Sequence, residues 1–235
     1  MRIVYLQHSG FIVETQQHLL IFDYYQDPTN STLPLLKGGK KIIVFCSHSH
    51  GDHFNTQIRV WKDLVSTYYL SADILKAGGL AGVNLSQCVY LNPYEQREDS
   101  GLKVTTYGST DAGVSFFVEV DGWHIFHAGD LNWWHWKGDT DENNRLAAEG
   151  FHKEMEHLAG LTFDVAFFPV DSRLEEYRAL GVEEFCLKTE VRQLVTMHAF
   201  GPSWKPPIGF PGKGKAVAVW CPSTPGETRQ FDNEN

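Results

Sequence analysis

Cysteine is scarce in this chain of 235 residues: four, at Cys46, Cys88, Cys186 and Cys221, with no two close enough for a CxxC pair. That argues against a thiolate zinc knuckle; the four are expected as free, mostly buried small hydrophobes in a reducing compartment. No apolar run approaches the ~18 residues of a membrane-spanning helix. The opening MRIVYLQHSG lacks the basic-then-apolar pattern of a secretory signal, so the expectation is a soluble, cytoplasmic protein. Positive charge is also short: 20 Lys and Arg face 29 Asp and Glu, a net charge of −9. Affinity for duplex nucleic acid comes mainly from cationic neutralisation of phosphates, so no nucleic-acid partner is expected. A small phosphorylated substrate stays open, because a bound metal can supply local positive charge. No internal repeat, low-complexity tract or linker interrupts the chain. One domain over residues 1–235 is the economical reading, with a homo-oligomer left open.

Hydrophobic residues make up 42% of the chain, enough at this length for a full core. Short β-branched or aromatic runs predict strands at 3–7, 11–14, 19–24, 42–46, 67–70 and 88–91, then at 103–107, 114–120, 123–127, 164–170, 193–197 and 216–220. Asp121-Gly122 is a two-residue hairpin signal. Phe54, Ile58, Trp61 and Val65 form a helical stripe, as do Leu146, Ala147, Phe151, Met155 and Leu158, and residues 174–180 and 182–188 read as two more helices. Residues 92–101 read as a loop, 133–144 as irregular, and 201–215, rich in Pro and Gly, as a long ordered flap. Several strands are apolar on both faces, which calls for cover on both sides. An α/β fold results: two mixed β-sheets packed together with helices outside, four αββα layers.

Histidine is abundant instead. Eleven are present, and three crowd into His48-Ser49-His50-Gly51-Asp52-His53, directly after the strand at 42–46. In an extended chain residues two apart share a side, so His48 and His50 can present imidazoles to one point. Gly51 permits a sharp turn, after which Asp52 and His53 can face the same pocket from a new direction. Imidazole nitrogen and carboxylate oxygen suit Zn²⁺, Mn²⁺ or Fe. Four such groups in six residues, bent across a loop, can serve two metals rather than one.

The motif HSHGDH, after an apolar strand and before a helix, resembles the HxHxDH signature of the metallo-β-lactamase superfamily. The resemblance extends along most of the chain. Asp23 ends the strand of Leu19-Leu20-Ile21-Phe22, His127-Ala128-Gly129-Asp130 is similar to the family's Gly-Asp step, and Met197-His198 closes an apolar strand. Gln7-His8-Ser9 and the phrase IFHAGD look most like the branch of ascorbate-6-phosphate lactonase and N-acyl-phosphatidylethanolamine phospholipase D. The resemblance implies an αββα sandwich in which His48 and His50 bind a first metal and Asp52, His53 and His198 a second. Asp130 bridges them, and Asp23 hydrogen-bonds a ligand histidine from behind. The family's further histidine, between the motif and the Gly-Asp step, is missing from residues 107–113. Either Asp111 or Ser109 substitutes, or His8 or His135 swings in, or the first site is weak or empty.

Other residues stand close to this set. His127 is a candidate for supporting the metal site from behind, against a plain core role. Trp133, Trp134, His135 and Trp136 follow Asp130 closely, so Trp133 and Trp136 are candidates for a substrate-facing wall and His135 for a proton donor. Trp204 in the flap is a third candidate substrate contact. The expected function is metal-dependent hydrolysis of an ester, lactone or phosphodiester of a small molecule, with Asp52 orienting the attacking water. One or two ions are expected: zinc, with manganese or iron as alternatives. A non-catalytic metal-binding protein and an iron-dependent oxidoreductase or sensor are the rivals.

Overall fold

The structure, a computed structural model, describes residues 1–99 and 101–232. Its first sheet takes β1 (Arg2–Gln7), β2 (Gly10–Glu14), β3 (His18–Phe22), β4 (Lys41–Cys46), β5 (Val65–Ser71) and β6 (Cys88–Leu91), and its edge adds the last strand, β14 (Thr228–Gln230). Its second holds β7 (Gln96–Asp99), β8 (Leu102–Tyr107), β9 (Ser115–Val120), β10 (Trp123–His127), β11 (Thr162–Pro169), β12 (Glu190–Met197) and β13 (Ala218–Trp220). Strand order is β14-β1-β2-β3-β4-β5-β6 in one and β13-β12-β11-β10-β9-β8-β7 in the other, so both sheets have seven strands. Each is mixed: β1 to β3 and β7 to β10 run antiparallel to their neighbours, while β3 to β6 and β10 to β13 are parallel. The four-layer αββα order expected from the continuous apolar strands is the order found.

Alternation within the strands divides the core in two. Ile3, Phe11, Leu20, Phe22, Ile43 and Phe45 point inward to meet Phe116, Val118, Ile125 and Phe167 of the second sheet. Val4, Ile12, Leu19, Ile21, Ile42 and Val44 point outward and are covered by Leu36 of α1 (Thr32–Leu36), Ile74 of α2 (Ala72–Lys76) and Ile58 and Trp61 of a 3₁₀ turn. Over the second sheet, α3 (Asp141–Leu158) buries Phe151, Met155 and Leu158, and α4 (Leu180–Lys188) buries Val182 and Phe185. Thr140 caps α3 by accepting from the Asn143 N–H. Among the described residues no helix is long and apolar enough to cross a membrane.

Several local expectations give way. After the histidine motif only a 3₁₀ turn forms, Thr56–Trp61, because Val65 is drawn into β5 opposite Ile42 and leaves the stripe too short for an α-helix. A second 3₁₀ turn, Ser172–Tyr177, replaces most of the helix expected at 174–180. The loop expected at 92–101 contains β7, whose four residues are exposed and carry no apolar alternation to read; Ser100 lies outside the described residues. The helix α3 begins inside the stretch expected to be irregular, since its first turn is polar and exposed.

Candidate metal centre

Strand ends of both sheets meet at one place. Asp23 follows β3, Ser47 and the 48–53 loop follow β4, Asp130 follows β10, Asp171 follows β11 and His198 follows β12. The crowding is tight at Ser47. Gly113 and Gly129, both at positive φ, lie so close to it that a β-carbon would stand 1.9 Å from the Ser47 carbonyl oxygen or 2.7 Å from its Cβ, respectively. Among the described residues, four of the eight non-glycine residues at positive φ gather here: His8, Asp23, His198 and Phe200. Strain of this kind persists where surrounding contacts fix the backbone, and it concentrates at functional sites.

Buried Asp23 organises the loop. Its Oδ1 accepts from the Ser47 N–H at 2.7 Å, and its Oδ2 accepts from Ser47 Oγ at 2.7 Å and from His53 Nδ1 at 2.7 Å. Ser47 Oγ, its proton given to Asp23, accepts from His48 Nδ1 at 2.9 Å. His198 Nδ1 donates to Asp171 Oδ2 at 3.0 Å. Three imidazoles are thus held by Nδ1 from behind, a device that fixes ring orientation and turns Nε2 to the front. Asp73 of α2 accepts from the Ser49 N–H at 2.8 Å and anchors the loop from outside.

The three Nε2 atoms converge on Asp130. Its Oδ1 lies 3.1 Å from His53 Nε2 and 3.4 Å from His198 Nε2, and its Oδ2 lies 3.4 Å from His48 Nε2. The two oxygens of one carboxylate therefore face different halves of a cluster. One half joins His48, His50, Asp111 and Asp130; the other joins His8, Asp52, His53 and His198, the candidate ligand atoms within each lying no more than 4.8 Å apart. His50 Nδ1 stands 3.5 Å from Asp111 Oδ2, and His8 Nε2 stands 3.3 Å from Asp52 Oδ2.

The residues fit a cation on a direct test. His8 Nε2, His48 Nε2, His53 Nε2 and Asp130 Oδ1 are all buried and lack an aligned hydrogen-bond partner. A buried polar atom without a partner costs about 1–3 kcal/mol, so four together call for a shared one. The electrostatics agree. Burial disfavours charge on His53, yet the carboxylates of Asp130 and Asp23 outweigh it and lift the imidazole to about 10. Burial likewise opposes ionisation of Asp130, and the imidazoles of His53, His198 and His48 overcome it and hold the carboxyl well below its ordinary range. Contact with His8 lowers Asp52 as well. Burial pushes His48 and His8 down, towards the neutral form that can bind a metal. Neither half includes a cysteine, so the donors are nitrogen and oxygen throughout.

The stretch without the expected histidine is filled by Asp111, which joins the first half. Ser109 does not: its Oγ accepts from the Asp111 N–H and shapes that loop. His8 comes in, but to the other half. His127 lies fully buried behind Asp23, with its Nδ1 3.9 Å from Asp23 Oδ2, its Nε2 donating to the Ser9 carbonyl at 2.9 Å and its ring stacked on Phe22.

A cavity of 460 Å³ opens over the cluster, lined by His50, Asp52, Asp111, Trp134, Trp136, Arg173 and Phe200 among others. Asp52 and Phe200 also border a second cavity of 320 Å³, which reaches Tyr5, His8 and Tyr25. Three residues expected at the site lie off these walls. Trp134 and Trp136, two residues apart, turn one way and stack at 5.9 Å, and Trp134 meets His198 edge-on at 5.5 Å. Trp133 and His135 turn away from them. Trp133, expected as a substrate contact, packs on Phe151 and His152, and His135, expected as a proton donor, lies on Tyr177 at 4.1 Å, both outside the cavity lining. Trp204 is buried edge-on to Phe210, because the flap is pinned beside α4 through the Lys213 N–H and the Cys186 carbonyl instead of arching over the cavity.

Asp171, Arg173 and Phe200 were not singled out in the sequence, and Trp134 was named with its neighbours but not chosen as a substrate contact. For Asp171 a signal existed: like Asp23 and Asp130 it is an acid just past an apolar strand.

A family model described as a beta-lactamase superfamily domain matches residues 2–142. The UPF0173 metal-dependent hydrolase of Bacillus velezensis is 31% identical over 221 residues, covering 84% of this chain and 85% of that protein. The UPF0173 metal-dependent hydrolase of Opitutus terrae is 27% identical over 150 residues, which span 55% of this chain and 63% of the relative. Neither relative is named for the ascorbate-6-phosphate lactonase branch. Among solved structures, a metallo hydrolase from the archaeon Ignicoccus hospitalis shares the fold at TM-score 0.63 and 19% identity, covering 99% of each chain. A diiron beta-hydroxylase from Streptomyces venezuelae shares it at TM-score 0.52 and 11% identity, over 84% of this chain and 44% of that one.

Proposed function

Because the chain belongs to the beta-lactamase superfamily and, within it, to the UPF0173 metal-dependent hydrolases, we propose that it hydrolyses an ester, lactone or phosphodiester bond of a small molecule with metal at the Asp130 cluster. The observation that carries this reading is the Asp130 carboxylate, which turns one oxygen to His48 and the other to His53 and His198 amid buried atoms that lack partners. His48, His50, Asp111 and Asp130 would hold one ion; Asp52, His53, His198 and the shared Asp130 would hold a second, with His8 beside them. Nitrogen and oxygen donors without thiolate suit zinc, manganese or iron. A bound divalent cation supplies a water-derived nucleophile near neutral pH and polarises the scissile bond.

The chain's own groups do the rest. Asp52 is kept ionised by His8 and reaches the cavity, where it accepts a hydrogen bond from the attacking water and orients it. Asp23 and Asp171 keep three imidazoles in register. Trp134, Trp136 and Phe200 give the substrate an apolar wall. Elemental analysis of gently purified protein, followed by a panel of esters, lactones and phosphodiesters with the metal found, tests the reading. Asp52→Ala with His198→Ala is expected to abolish both metal retention and turnover. Full turnover by that metal-free double variant would refute it.

A further inference from the structure

Among the described residues that line the 460 Å³ cavity, Arg173 is the one Lys or Arg. It is not a loose surface side chain. Its Nε and Nη2 donate to the buried carboxylate of Asp171 at 2.6–3.0 Å, its guanidinium lies 3.8 Å over the Phe200 ring, and Trp136 stands 5.4 Å away. Asp171 in turn accepts from His198 Nδ1, so the guanidinium is two hydrogen bonds from an imidazole of the metal cluster. A guanidinium offers two forked edges to planar anions. Asp171 uses the Nε–Nη2 edge; Nη1 donates to no protein group among the described residues.

We propose that Arg173 binds an anionic group of the substrate, a carboxylate or a phosphate, beside the bond that is cleaved; the position of that bond rests on the hydrolase reading above. The charge count supports it. Of the four carboxylates on the lining, Asp52, Asp111 and Asp130 would be matched by bound cations and Asp139 accepts from the Thr140 N–H and Asn143 Nδ2, which leaves Arg173 as the cationic partner on the wall away from the metals. Its stacking over Phe200 and its tie to Asp171 hold the fork before the ligand arrives, which lowers the ordering cost of binding. A role confined to holding Asp171 against His198 would need no place on the cavity wall and no unpartnered Nη1.

The test reads binding, through the fluorescence of Trp134 and Trp136, in metal-loaded protein titrated with phenylacetate, phenylphosphonate and the uncharged phenylacetamide. Wild type should prefer at least one anion over the amide. Arg173→Met should lose that preference by roughly tenfold to hundredfold, the worth of a hydrogen bond to a charged group, with metal content unchanged. Arg173→Lys should recover part of it. Arg173→Gln serves if the methionine variant does not fold. The better of the two anions tells carboxylate from phosphate. The proposal is overturned if the preference survives in Arg173→Met, if wild type shows none, or if Arg173→Met loses its metal, which would make Arg173 a positioning residue for His198. Failure of the hydrolase reading would show separately, as absence of turnover with metal bound, and would leave this titration readable.

Discussion

Around His53 and His198 each imidazole is gripped from behind by a buried carboxylate, whereas His50 and Asp111 meet each other half-exposed, their side chains 53% and 50% accessible. The first arrangement is fixed before any ion arrives; the second can open and close around one. The difference lies in how each residue reaches the centre. His53 and His198 are held by acids at the ends of β3 and β11, while Asp111 sits in the loop between β8 and β9, where its N–H makes a long hydrogen bond to Ser109 Oγ at 3.4 Å and its carboxylate faces half-exposed His50 at 3.5 Å. A site with one rigid and one yielding half should load its ions unequally.

Breaking what the halves share has the largest expected effect. Asp130→Ala leaves charged His53 with one carboxylate fewer and removes the oxygens facing both sides. Both ions should be lost by elemental analysis, and the metal-free protein should lose roughly 3–5 kcal/mol in a urea melt, as for a broken buried pair. Removing the grip comes next. Asp171→Ala should weaken the ion at His198 about 10–100-fold in chelator competition and spare the one at His48. Equal loss from both would erase the distinction between the two halves.

Proton competition sharpens the rigid half. His53 in the metal-free protein is raised to about 10, so its charged form contributes stability that is complete below ~6.5 and lost as pH rises through about 10. A cation displaces that proton, so its affinity should climb with pH by up to about tenfold per unit in this window. Calorimetry in buffers of differing ionisation enthalpy would detect the released proton. The smallest effect belongs to the yielding half: Asp111→Ala should lower stoichiometry towards one ion while the metal-free melt stays within about 0.5 kcal/mol.

The sandwich was legible because strands such as residues 19–22 and 42–46 are apolar on both faces and leave few architectures open. The exposed strand β7 and the three-residue β14 carry no such pattern; β7 is a strand through its hairpin pairing with β8, and β14 through long-range pairing with β1. At the site, the compact 48–53 motif was readable through its spacing. Which face each of residues 133–136 takes was not, because a loop has no fixed period, and the pairing of Trp134 with Trp136 depends on where Asp130 leaves the sheet. Arg173 was invisible for a related reason: a single arginine gains meaning from Asp171 and Phe200, the latter 27 positions further along the chain.

Ser47 wedged between Gly113 and Gly129, with His48 and His53 beyond it and Asp130 and His198 opposite, makes the centre a clasp between the two layers. Their strand ends cannot separate without dismantling it. An ion gripped by residues of both layers would therefore act as a staple at this end of the sandwich, tying one sheet to the other in the way a cross-link would.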